Sequence, residues 1–135
     1  VAGYSGTPLA KKLGIKPGTR LRAVNAPADY DALLAPLPED VIVATVDAPD
    51  LDVVHLFTKS KSELTKLITR YQSKIKQNGA IWVSWPKKSS GIPSEITEDT
   101  VREVALPVGL VDIKVCAIDE TWSGLKLVIR KENRK

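Results

Sequence analysis

The chain has 135 residues, 43% of them hydrophobic and 27% charged, which predicts one compact domain able to bury its own core. A formal net charge of +4 is compatible with an anionic small ligand and falls short of the strong basic bias of an obligate nucleic-acid binder. One cysteine excludes an internal disulfide, a single histidine and a single cysteine speak against a zinc site of the usual ligands, and no apolar run reaches the roughly 18 residues of a membrane span.

The opening VAGYSGTPLAKKLG carries no hydrophobic signal core, and a lone cysteine fits a reducing compartment, so the expected location is the cytoplasm. The chain starts with Val rather than Met, so the first residues of the gene product are expected to have been removed or trimmed. Residues 1–6 read as a segment that docks on the domain, with Tyr4 as its anchor. Thr7 and Pro8 form a helix opening, Leu9 and Leu13 share one helical face, and Gly14 can end the turn. The KPG at 16–18 is a turn, and 19–24 reads as the first strand.

NAPADY leads into a short helix carrying Tyr30, Leu33, Leu34 and Leu37. The β-branched run 41–46 predicts a strand buried on both faces, and 51–57 a third strand. A long helix follows, capped by Ser62, with Leu64, Leu67, Ile68, Tyr71 and Ile75 at helical spacing and Gly79 as its left-handed stop. Residues 80–85 form a fourth strand. Thr97 caps a further helix with Val101, Val104, Ala105 and Val108 as its buried stripe, and Glu98 and Asp99 suit its first turn. Residues 110–118 form a fifth strand, DETWSG at 119–124 a turn, 125–131 a sixth strand, and 132–135 a frayed charged tail.

Strands interleaved with helices predict an α/β, Rossmann-like three-layer sandwich. Its sheet is six-stranded and mostly parallel, with a C-terminal antiparallel strand, because the connection at 119–124 is too short for a parallel crossover. The whole chain, 1–135, is read as a single domain of this kind.

The pieces LDVVHLF, SELTKLITRYQSKIKQNGAIWVSW, TVREVALPVGLVDIKVCAI and LKLVIRK resemble the second half of class I S-adenosylmethionine-dependent methyltransferases, over more than half the chain. That resemblance implies a methyltransferase-like fold. The first half departs from it. Where such enzymes carry a glycine-rich loop after the first strand, this chain has AVNAPADY, and Asp47 stands where an acid for the cofactor ribose is expected. Over nearly the whole length, GYSGTPLAKKLGIKPG, WVSWPKK, TEDTVRE and GLVDIKVCAIDETWSGLK resemble a family of small bacterial proteins of unknown function. This likeness implies a complete, bacterial chain and brings no activity, cofactor or partner with it.

Ligands of open parallel sheets sit beyond the carboxyl ends of the strands. The loops expected there bring Asn25 after the first strand, Lys59 and Lys61 after the third, and Lys87, Lys88, Ser90 and Gly91 after the fourth. Trp85 and Trp122 stand beside them. Several helix N-termini, with unpaired N–H groups, would point at the same rim. The lysines read either as an anion site or as ordinary basic surface. Ser89, Ser90 and Gly91 read as a phosphate cradle or a flexible loop, and the tryptophans as a stacking platform or as packing.

Catalytic constellations are thin. His55, mid-strand, reads as a buried hydrogen-bonded histidine before a catalytic base, and Cys116 as a small core residue. Asp47, Asp50 and Asp52, and Asp119 and Glu120, are rim acids or solvated caps. The function expected is a non-enzymatic domain binding an anionic, nucleotide-like small molecule at the C-terminal edge of its sheet. The alternatives are a diverged methyltransferase and a nucleic-acid or protein interaction module. An aromatic content of 5%, with no interleaving of basic and aromatic residues, speaks against single-strand binding.

Overall fold

The computed structural model of the chain describes residues 8–134, so the expected docking segment, Tyr4 and the Thr7 cap lie outside the described residues. Helix α1 spans Leu9–Lys12, strand β1 Arg20–Val24, α2 Tyr30–Leu34, β2 Ile42–Ala44 and β3 Leu51–Phe57. Helix α3 spans Lys61–Tyr71, β4 Ile75–Pro86, α4 Glu98–Ala105, β5 Leu110–Ala117 and β6 Trp122–Ile129. The six strands form one sheet in the order β2-β1-β3-β4-β6-β5. β2, β1, β3 and β4 run parallel, while β6 is antiparallel to both β4 and β5, so β5 points the same way as β4.

Alternation along the strands sorts the core into two layers. Val54 and Leu56 of β3, with Ile81 and Val83 of β4, face α3 and α4, where Leu64, Ile68 and Val101 complete one core. Val53 and Phe57, with Trp82 of β4, face α1 and α2, where Leu13, Tyr30 and Leu34 complete the other. Helices on both faces of a mostly parallel sheet give the Rossmann-like sandwich, with the C-terminal antiparallel strand where the short turn requires it.

Several elements differ from the sequence reading. β2 is an edge strand of three residues, and Ile42 is 54% and Val46 69% exposed, so the run is not buried on both faces. After β2 the chain runs on to β3 as an irregular loop. Asp47 ties that loop down: its carboxylate accepts hydrogen bonds from Arg22 (3.3 Å), from Arg70 and from the Tyr71 hydroxyl, which together hold it below the usual carboxylate range.

The cap of α3 is Ser60, whose hydroxyl accepts the Glu63 N–H; Ser62 lies inside the first turn. The helix stops at Tyr71, and Ile75 already pairs with Leu51, so Gly79 sits in β4 rather than at a helix end. A side chain at Gly79 would come within 3.0 Å of the Leu51 carbonyl, beside the register shift between Leu51 and Val53. Val108 falls in a 3-10 turn with Pro107 after α4. Trp122 to Gly124 open β6, because the Asp119 carboxylate accepts the N–H groups of Thr121 (2.8 Å) and Trp122 (2.7 Å) and tightens the turn. Within the tail, Asn133 donates to the Gly109 carbonyl (3.3 Å) and Arg134 to the Ile129 carbonyl (3.0 Å), while Lys135 lies outside the described residues.

Candidate functional site: the carboxyl edge of the sheet

From β1 the chain moves to one side to form β2, then crosses to the other side to form β3. The crevice beyond β1 and β3 is therefore the topological switch point, where ligands of such sheets bind. A cleft of about 430 Å³ opens there. Asn25 stands on one side, Thr58, Lys59 and Ser60 on the other, and Phe57, Glu63 and Trp122 close it.

Local structure explains each position. Asn25 ends β1 in the left-handed region (φ 59°), a conformation that Asn tolerates better than most residues, and its side-chain amide donates to the Phe57 carbonyl (3.4 Å). The turn that a glycine loop would make is made here by Asn25. Thr58 donates its N–H to the Ser84 carbonyl (3.0 Å) and its hydroxyl to Glu63 (2.7 Å). The Trp122 ring meets Phe57 edge-on at 5.0 Å. Lys59 is exposed at the mouth, and no carboxylate among the described residues pairs with it.

A second cleft of about 400 Å³ lies behind the loop after β4, with Trp85, Lys87, Lys88 and Ser123 facing Glu98 and Asp99 at the start of α4. The Lys87 N–H donates to the Thr121 carbonyl (2.8 Å), so the 86–91 loop and the 118–121 turn meet at the same end of the molecule.

The residues singled out in the sequence thus divide. Asn25, Lys59 and Trp122 share the switch-point cleft; Trp85, Lys87 and Lys88 share the second. Lys61, Ser90 and Gly91 line neither. The Lys61 ammonium pairs with Glu103 at 2.8 Å, and Ser90 donates to the Lys87 carbonyl (2.6 Å) while accepting the Ile92 N–H. Gly91 takes φ 76° with open space around it. Trp85 and Trp122 cannot clamp one ring between them, because Trp85 belongs to the core under α3 and α4 and Trp122 packs on the core of the opposite face. The helix N-termini are already served from within: Glu95 accepts the Lys61 N–H (2.9 Å), and Thr97 and Thr100 form a reciprocal cap on α4.

Sequence reasoning placed the loop 58–62 at this rim without singling out Thr58 or Ser60, and it missed Phe57 and Glu63 as cleft residues. It also missed the partners of His55. That ring is fully buried and stacked on Phe57 at 4.3 Å, with Nδ1 2.8 Å from the Tyr30 hydroxyl and Nε2 2.6 Å from the Ser84 hydroxyl. A neutral imidazole donates from one nitrogen and accepts at the other, so the two hydroxyls satisfy it. Burial drives its pKa down to about 3, and burial with the neighbouring Asp31 raises that of Tyr30. A histidine kept neutral and sealed from solvent does not serve as a base in the cleft.

Cys116 lies on β5, separated from β3 by β6 and β4, so no Cys–His dyad forms, and burial raises its thiol pKa. Among the described residues no group of three or more His, Cys, Asp or Glu is placed to hold a metal, and no helix is long and apolar enough to cross a membrane. Asp47, engaged by Arg22, Arg70 and Tyr71, lines neither cleft and does not fit the role of a ribose-binding acid.

The fold is similar to that of solved methyltransferases. A SAM-dependent methyltransferase from Aquifex aeolicus superimposes with a TM-score of 0.65 at 15% identity, covering 90% of this chain and 88% of that one. Fibrillarin from Aeropyrum pernix, solved with natively bound S-adenosyl-L-methionine, gives 0.58 at 12% identity over 89% and 73% of the two chains. A ribosomal protein L11 methylase from Lactobacillus delbrueckii subsp. bulgaricus gives 0.55 at 11% over 90% and 74%. At such identities the likeness shows the fold alone. No curated protein matches the sequence. A family profile does match, over residues 10–131, and the chain belongs to that family, the proteins of unknown function DUF3052.

Proposed function

We propose that this domain binds an anionic, nucleotide-like small molecule in the switch-point cleft and is not itself an enzyme. The observation that carries the reading is the cleft between Asn25 and Lys59, at the reversal of strand order, with a lysine that no acid of the described chain neutralises. Lys59 supplies the charge for a phosphate or carboxylate, Asn25 an orienting amide, and Trp122 an aromatic wall for a flat ring.

Thermal denaturation with AMP, ATP and S-adenosylmethionine tests this reading. A nucleotide at about a hundred times its Kd adds about 2.7 kcal/mol of stability, a rise of several degrees in Tm. Lys59→Glu should abolish that rise while leaving the ligand-free Tm close to that of the parent. If no nucleotide moves the Tm, the reading fails.

A diverged methyltransferase is the second reading. It is favoured by the left-handed Asn25 at the turn after β1, which frees the backbone much as a glycine would. Heat of binding with S-adenosylmethionine, insensitive to Lys59→Glu, would favour it over the first; silence in calorimetry at millimolar ligand would remove it.

A further inference from the structure

At the other end of the sheet lies a cleft of about 400 Å³, below the amino ends of β1, β3 and β4. Its ionic lining is three ammonium groups, Lys16, Lys76 and Lys126, against one carboxylate, Asp52. That carboxylate is spoken for. One oxygen pairs with Lys76 at 3.0 Å and the other accepts the Arg20 N–H at 2.9 Å. Lys16 and Lys126 have no acid partner among the described residues.

Lys126 is the unusual member. It lies on β6 directly between Trp82 of β4 and Lys114 of β5, on the face covered by α1. Like charges directly opposite on neighbouring strands are destabilising, and here Lys126 faces Lys114 across the ladder with Lys16 close enough to act on it as well. Partial burial adds to that cost, and all three effects lower the pKa of Lys126. The turn after α1 leaves room above the ammonium group. Gly14 takes φ 79°, and a Cβ built on it would lie 3.9 Å from Lys126 Nζ. A protein that gathers Lys16, Lys114 and Lys126 around a partly buried position, with no ion pair to any of them among the described residues, loses stability unless something negative arrives.

We propose that this cleft is a second anion site, taking a small phosphate-bearing molecule with the charge of a pyrophosphate group, held by the ammonium groups of Lys16 and Lys126 in the field of Lys114. Lysine ammonium groups act as point charges on phosphate oxygens, and a cleft of this size suits a small organic phosphate. The site is separate from the switch-point cleft: one lies before β1 at Thr19, the other after it at Asn25.

The test is a titration of the full chain with pyrophosphate in low-salt, phosphate-free buffer, followed by 1H–15N correlation spectra, on the parent and on Lys126→Met, Lys16→Ala and Lys59→Glu. The amides of Gly14, Lys16, Asn78 and Lys126 should shift. Lys126→Met should weaken binding about tenfold or more and, without anion, raise the Tm by about 2 °C, because it removes an uncompensated charge. Lys16→Ala, on an exposed turn, should also weaken binding if Lys126→Met fails to fold. Lys59→Glu should change nothing at this site. The proposal is overturned if sodium chloride at matched ionic strength produces the same shifts, or if both lysine variants bind as the parent does. It is likewise overturned if the shifts centre on Asn25 and Lys59, or if a DNA duplex binds these same residues more tightly than pyrophosphate.

Discussion

His55 shows how one buried polar group constrains a core. Between Tyr30 and Ser84 it is satisfied at both nitrogens, so the cost of burying an imidazole is offset by two hydrogen bonds. The cost reappears when the ring must carry a proton. The unfolded chain takes up that proton near pH 6.5, whereas the folded chain resists until about pH 3. Unfolded molecules therefore bind more protons throughout that window, and stability falls as pH is lowered through it. Between pH 7 and pH 5 this group alone should cost about 2 kcal/mol. Urea denaturation at the two pH values measures it, and His55→Gln, which keeps a donor and an acceptor, should remove that part of the slope. Equal slopes in parent and variant would contradict the buried neutral assignment.

At the scale of elements, short-range chemistry decides the turns. The β1–α2 connection depends on Asn25 in the left-handed region, where a Cβ costs about 1–2 kcal/mol in most residues and nothing in glycine. Asn25→Gly should be neutral to within about 0.5 kcal/mol, while Asn25→Val should destabilise by about 2 kcal/mol in chemical denaturation. Comparable losses in both variants would shift the explanation to the amide contact with Phe57. The long helix and the capped helix before β5 were legible because their apolar spacing is periodic, and Thr97 marked the start of the second, whereas the first is capped by Ser60 rather than Ser62. The end of α3 was not. Ile75 fits the helical stripe and the strand equally well, and its pairing with Leu51 settles the matter through a residue 24 positions away.

At the scale of the whole molecule, one sheet separates two cores, with Trp82 reporting on one and Trp85 on the other. The sheet is shared, so neither core can persist without the strands that build its partner. Tryptophan fluorescence and far-UV circular dichroism should therefore give coincident denaturation midpoints. Separated transitions would show that the α1–α2 face opens independently. The same sheet sets the two clefts at its opposite ends, which is why changes at Lys59 and at Lys126 are expected to act independently.

Composition, apolar period and turn chemistry were enough to determine the α/β class, the six strands and the antiparallel close, since each of these depends on residues near one another in the chain. The edge position of β2, the engagement of Asp47 with Arg22, Arg70 and Tyr71, and the pairing of Lys61 with Glu103 were decided by the tertiary structure. So was the division of the rim into two clefts. A side chain's neighbours across a sheet come from strand order, and strand order is a property of the packed molecule that no local stretch of sequence contains.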